Sequence, residues 1–253
     1  MKLHVDLNAD LGEGAGHDAE LFEFISSANI ATGFHAGDSD TMHDAVCAAK
    51  QHGVAVGAHP SFFDRENFGR KELKVSNEEV FDAVAYQLGI FQAIASAVGV
   101  RPNHVKPHGA LYNMAVRDEE LADAIARAIK SVDPKLILFA PDKSELARVG
   151  EAHGLQVARE VFADRNYLND GWLVPRTRPD ALLRNPKEAA QRVLRMLREG
   201  KVRSVEGRDV DVRGETICVH GDTPGAVEFA RELRTQLERE GVRISAPEFA
   251  VRK

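Results

Sequence analysis

Apolar and polar positions alternate with period two in a series of short stretches, most of them followed by a stretch of helical length. Val5, Leu7 and Ala9 share one face of a first strand, Leu3 to Asp10, and Asp6, Asn8 and Asp10 share the other. Asn29 to Thr32, Val54 to Ala58, His104–Val105, Lys135 to Ala140, Gln156 to Phe162 and Thr216 to Val219 read as six more strands. Helices are expected from His17 to Ser27 and from a cap at Ser39 or Asp40 to about His52. Ser76 with Glu79 forms a capping box for a long helix ending near Gly99, and Asp118 caps another to Val132. Further helices end at His153, run from Pro186 to Glu199, and run from about Pro224 to Glu240. Residues 201–213 have the valine alternation and central glycine of a hairpin, and Val242 to Lys253 reads as a tail with a short edge strand.

Strands alternating with helices of suitable length imply a parallel sheet with right-handed crossovers. Seven such units without a linker predict one (β/α) barrel over residues 1–253 rather than two doubly wound domains. Asn166 to Asn185 interrupts the rhythm with Tyr167, Trp172, Pro175, Arg176, Arg178 and Pro179, and a loop of that length suits a lid.

In such a barrel the carboxyl ends of the strands converge on one mouth. Those ends carry Asp6, Asn8 and Asp10, then His35 and Asp38, then His59, Lys106 and His108, Asp164 and Arg165, and finally His220 and Asp222. Four of the ten histidines fall there. Imidazole near neutral pH is both a proton carrier and a metal ligand. Lys106 and His108 alternate across Pro107, which ends the ladder. A buried ammonium needs an anion, so Lys106 is expected to meet a carboxylate of the protein or of a substrate. His4, His17, His43, His52, His104 and His153 read as surface or capping residues. Glu13, in the loop Gly12-Glu13-Gly14-Ala15-Gly16, can face the mouth; that loop lacks the third glycine of a dinucleotide fingerprint and any Walker lysine. Cys218 shares a strand face with His220 and reads as a buried thiol before it reads as a nucleophile. Arg165, Arg176 and Arg178 suit either a carboxylate clamp or a solvated loop.

Composition narrows the functional classes. The 253-residue chain has a formal net charge of -6 and no basic block, which disfavours nucleic acid and anionic membranes as partners. Its two cysteines make no disulfide framework, the first residues lack a signal-peptide pattern, and no apolar run suggests a membrane span. A cytoplasmic enzyme acting on a small molecule is the expectation.

The strand ends resemble those of the LamB/YcsF family. The resembling stretches are residues 6–13 (DLNADLGE), 28–38 (ANIATGFHAGD), 57–60 (GAHP), 68–70 (FGR) and 104–113 (HVKPHGALYN), followed by 160–165 (EVFADR), 173–176 (LVPR) and 216–222 (TICVHGD). Family members often have cysteine where this chain has Ala9 and Thr32. The resemblance implies a glycoside hydrolase/deacetylase-like barrel. It also implies ATP-dependent opening of 5-oxoproline to glutamate together with two other 5-oxoprolinase subunits, B and C. The sequence shows no ATP fold, so ATP would be bound by those partners. Catalysis would then fall to Asp10, His59, Lys106 and His108, and substrate contacts to Asp6, Asn8, Glu13, His35, Asp38, Arg165, His220 and Asp222. Related sugar deacetylases hold a divalent metal with one aspartate and two histidines, for which Asp10, His59 and His108 occupy comparable strand ends. Rival readings are a stand-alone metal-dependent deacetylase or amidohydrolase, and a non-catalytic subunit that presents substrate.

Overall fold

Every expected strand forms in the computed structural model, which describes residues 3–219 and 225–249. In chain order, β1 (His4–Leu11), β2 (Ser27–Ala31), β3 (Ala55–His59), β4 (His104–Val105), β5 (Ile137–Pro141), β6 (Gln156–Phe162) and β9 (Thr216–Val219) pair in parallel with their neighbours. The pairing of β9 with β1, Asn8 opposite Cys218, closes the ring. Among the described residues the result is a seven-stranded parallel barrel without a free edge. The hairpin β7 (Lys201–Arg203) and β8 (Asp209–Asp211) stands apart, and β10 (Arg243–Ile244) adds to the start of β1.

The outer layer is α1 (Asp18–Leu21), α2 (Ser39–His52), α3 (Asn77–Val98), α4 (Gly109–Ala115), α5 (Glu119–Val132), α6 (Glu145–Ala152), α7 (Pro186–Glu199) and α8 (Ala226–Arg239). The capping box of α3 is complete: Ser76 accepts from the Glu79 amide and Glu79 from the Ser76 amide. Three expectations change. The segment after His17 is helical for one turn only, Asp18–Leu21, and β2 already begins at Ser27, where the helix was expected to end. Asp38, not Ser39 or Asp40, caps α2. By length and composition α3 could cross a membrane, with a mean hydropathy of 1.3, contrary to the expectation that no run approaches a span. A third of that window is buried, Val84, Leu88, Phe91 and Ala95 among its buried residues, and α3 packs against α5.

The barrel interior is polar along much of its length. Asp6 lies at its amino-terminal end, where Ser26, Ser27 and Thr216 hydroxyls donate to its carboxylate at 2.6, 2.8 and 2.6 Å. Above it, Asn8 donates to Thr216 and Glu160 and accepts from Asn29. His104 is fully buried, stacked on Phe139 at 4.2 Å and bonded to Asn29 Oδ1 at 2.9 Å, not on the surface as expected. These bonds satisfy groups that burial would otherwise penalise.

Candidate active site

Where the strands end, the polar column opens into a cleft lined by Asp10, Glu13, His59, Arg70, Lys106, His108, Tyr112, Phe162 and Arg165, among others. Period-two alternation places His104, Lys106 and His108 inward in succession, from barrel to mouth. Gly109 starts α4 at φ +57°, and a Cβ there would come within 2.4 Å of the Gly69 carbonyl. The loop carrying Gly69 therefore lies directly against the His108 turn. The neighbouring Phe68 holds φ +56°, uncommon for an aromatic residue, and turns its carbonyl to accept from His108 Nε2 at 3.0 Å.

Lys106 is the cationic centre. Its Nζ lies 2.9 Å from Asp10 Oδ1, 3.0 Å from Glu160 Oε1 and 3.0 Å from Cys218 Sγ. Burial acts to lower its pKa, but the Asp10 and Glu160 carboxylates more than offset this and hold the ammonium well above its ordinary value. Lys106 is thus a fixed positive charge rather than a base. Burial pushes the Cys218 thiol well up, against the opposing pull of Lys106, so it serves the site as a neutral wall rather than as a thiolate. Tyr112 donates to Glu160 Oε2 at 2.6 Å and completes that carboxylate's shell.

The imidazoles form a second group. His35 and His108 stack with centroids 3.8 Å apart, and His59 sits edge-on to both. His59 Nε2 is 2.9 Å from His108 Nδ1 and 3.4 Å from Asp10 Oδ2. Glu13 Oε1 lies 3.0 Å from His35 Nε2, 3.2 Å from His108 Nδ1 and 3.8 Å from His59 Nε2. Burial lowers the His35 pKa to about 2, with His59 adding to the effect, and burial with His59 and His35 puts His108 well below its usual range. For His59 burial acts downward as well, but Asp10 and Glu13 outweigh it and the net shift is upward.

Most of the residues expected at the mouth meet there. Asp10, Glu13, His35, His59, Lys106 and His108 form one contiguous cluster, with Arg165 on the cleft wall. Asp6 is spent on hydroxyl bonds at the far end of the barrel, and Asn8 links that end to the site through Lys106. Asp38 faces away, accepting from the Thr41 amide and hydroxyl as a helix cap. His220 and Asp222 lie outside the described residues. The group whose donor atoms all lie within 4.8 Å of one another is Glu13, His35, His59 and His108, where Asp10, His59 and His108 were expected; Asp10 Oδ1 bonds Lys106 and Asn29, and its Oδ2 lies 3.4 Å from His59 Nε2. Sequence reasoning passed over Glu160, although Ala158, Glu160 and Phe162 alternate along β6 and so announce an inward acid.

Arg165 has a distinct position. Its Nη2 donates to the Val174 carbonyl at 2.7 Å, while its buried Nε has no hydrogen-bond partner. Burial, with Arg176 nearby, lowers its pKa to about 10, still charged at neutral pH. A buried N–H without an acceptor beside a cleft is a ready anion anchor.

Fold and site together define a class: a parallel (β/α) barrel of seven strands with an ionic and imidazole cluster at its carboxyl-terminal mouth. Residues 5–251 match the LamB/YcsF family, and the chain belongs to it. It is 48% identical over 247 residues to the A subunit of 5-oxoprolinase from Bacillus subtilis (strain 168), covering 96% of each chain. The crystal structure of the lactam utilization protein from Thermus thermophilus superimposes with a TM-score of 0.92 at 48% identity, covering 97% of this chain and all of that one. A polysaccharide deacetylase from Bacillus cereus shares the fold at a TM-score of 0.53 and 16% identity, over 98% of this chain and 93% of that one.

Proposed function

We propose that this chain is the lactam-opening subunit of a cytoplasmic ATP-dependent 5-oxoprolinase, acting with two further subunits, B and C, to convert 5-oxo-L-proline to L-glutamate. The observation that carries the reading is the convergence of Asp10, His59, Lys106 and His108 on a cleft whose wall offers the Arg165 Nε. Relatives at 48% identity, named as the A subunit of 5-oxoprolinase, support it.

The substrate is a cyclic amide bearing a carboxylate. An amide resists water, and transfer of a phosphoryl group to its oxygen makes the ring carbon electrophilic. No nucleotide-binding motif accompanies the barrel's sequence, so the partner subunits are assigned ATP. Arg165 holds the substrate carboxylate. Asp10 takes the proton of the attacking water. Lys106, fixed by Asp10 and Glu160, stabilises the oxyanion or phosphate that develops.

The test is glutamate formation from 5-oxoproline with and without ATP and the two partner subunits. Turnover by the complete mixture is expected, with Lys106→Ala and His108→Ala each abolishing it in protein that circular dichroism shows to be folded. Full turnover in both variants, or hydrolysis by the isolated chain without ATP, would replace this reading.

A further inference from the structure

The protons of the three mouth imidazoles are all committed outward. A carbonyl oxygen can only accept, so His59 Nδ1, 2.7 Å from the Lys106 carbonyl, must carry its ring's proton. By the same rule His108 Nε2 donates to the Phe68 carbonyl at 3.0 Å. Ser61 spends its hydroxyl proton on the Phe62 carbonyl and therefore accepts from His35 Nδ1 at 2.9 Å. In the neutral rings, the remaining nitrogens, His35 Nε2, His59 Nε2 and His108 Nδ1, are bare lone pairs. They face one another and Glu13 Oε1, and His59 Nε2 also lies 3.4 Å from Asp10 Oδ2.

Three imidazole nitrogens and a carboxylate oxygen, gathered within 4.8 Å of one another, are a donor set of the kind that holds a metal ion. We propose that Glu13, His35, His59 and His108 are the ligands of a divalent first-row transition ion, Zn²⁺ by the character of its donors, with Asp10 outside the set. One ion would take all four donor atoms at once. The spacing fits. Donors at Zn–N and Zn–O distances of roughly 2.0–2.2 Å around a tetrahedral ion are about 3.3 Å apart. Here the separations are 2.9, 3.0, 3.2 and 3.8 Å, and all four donor atoms lie within 4.8 Å of one another. The outward bonds to two carbonyls and a hydroxyl are the outer shell that fixes ring tautomer and orientation in a metal site. Bound there, the ion would supply Lewis acidity beside the lactam. Asp10, left to Lys106 and Asn29, remains the proton acceptor.

The inference concerns binding and stands apart from the reaction assigned to the cleft. It is tested on the full chain, purified without chelator or affinity metal, by elemental analysis, followed by stripping and titration with ZnCl₂ and with CoCl₂. The expected result is one ion per chain, a tetrahedral visible spectrum with Co²⁺, and a rise in the unfolding midpoint on reloading. Glu13→Gln and His35→Ala should weaken binding at least about 100-fold, and Asp10→Asn should retain it, with folding checked by circular dichroism. Should His35→Ala fail to fold, Glu13→Gln and the wild-type stoichiometry decide alone. Folded wild-type protein that neither contains nor takes up a stoichiometric ion overturns the assignment, as does loss of the ion in Asp10→Asn with retention in Glu13→Gln.

Discussion

Lys106 Nζ lies 3.0 Å from Glu160 Oε1, both side chains almost wholly inaccessible to water, and joins β4 to β6 across the barrel. A buried charge left alone is costlier than a missing pair, typically by about 3–5 kcal/mol. Lys106→Met should therefore destabilise the fold by about that amount, since it strands Asp10 and Glu160 together. Adding Glu160→Gln should recover part of the loss. Urea unfolding of the two single variants and the double variant measures the coupling; additivity of the two losses would show that the pair is not a unit.

Gly57 is the steric counterpart of that polar column. A Cβ at this position in β3 would lie 2.2 Å from the His104 ring, inside any permitted contact. In Gly57→Ala the ring must leave Asn29 or Phe139, or the strand must move. Overpacking of this kind costs about 1–3 kcal/mol, and the lost imidazole bond adds to it. Thermal or urea midpoints should fall accordingly, and by less when His104 is also made alanine. Equal stability of Gly57→Ala and wild type would show that the interior yields.

Much of this architecture was legible in the chain because local signals and global fold agree. The alternation of β1, the Gln156 to Phe162 strand, Pro186 at the start of α7 and the Ser76–Glu79 box all appear where periodicity and capping put them. The site was legible where a strand end announces it, as at His59, Lys106 and His108. It was less so where side chains arrive from depth. His104 continues the inward alternation of Lys106 and His108, but a histidine at a strand's start looks like a surface residue until Gly57 is seen to make room for it. Asp38 carried the right residue type for a mouth and was claimed instead by the free amides of α2. No sequence pattern discloses which ring nitrogen faces Glu13, because that depends on carbonyls brought in from other loops.

Asp6 gives the fold a pH dependence of known sign. Burial raises its pKa from 3.8 to about 6, in spite of the three hydroxyl bonds. The folded state thus holds this proton more tightly than the unfolded chain. The contribution is fully present below the unfolded pKa and is lost as pH rises through about 6. At about 1.36 kcal/mol per unit, roughly 3 kcal/mol disappears across that window. Asp6→Asn should remove this slope between pH 4 and pH 7. The quantity to measure is the difference between wild-type and variant unfolding free energies at each pH, which cancels the histidines. A difference independent of pH would mean that Asp6 is ionised in the fold throughout.

Arg165 should set the affinity for the substrate's carboxylate. Its Nε is buried and unpartnered on the cleft wall, while Nη2 is already committed to Val174. A hydrogen bond to a charged group contributes about 1.5–3 kcal/mol, so Arg165→Lys, which cannot reproduce the guanidinium fork, should raise the KM for 5-oxoproline roughly 10- to 100-fold. The effect on kcat should be smaller, because the contact is made equally before and during ring opening. Pyrrolidin-2-one, the same lactam without the carboxylate, supplies the control. Wild type and variant should turn it over equally poorly in the reconstituted assay, since neither has an anion to hold. If the substitution slows both lactams alike, Arg165 acts by holding the loop at Val174 rather than by binding the carboxylate.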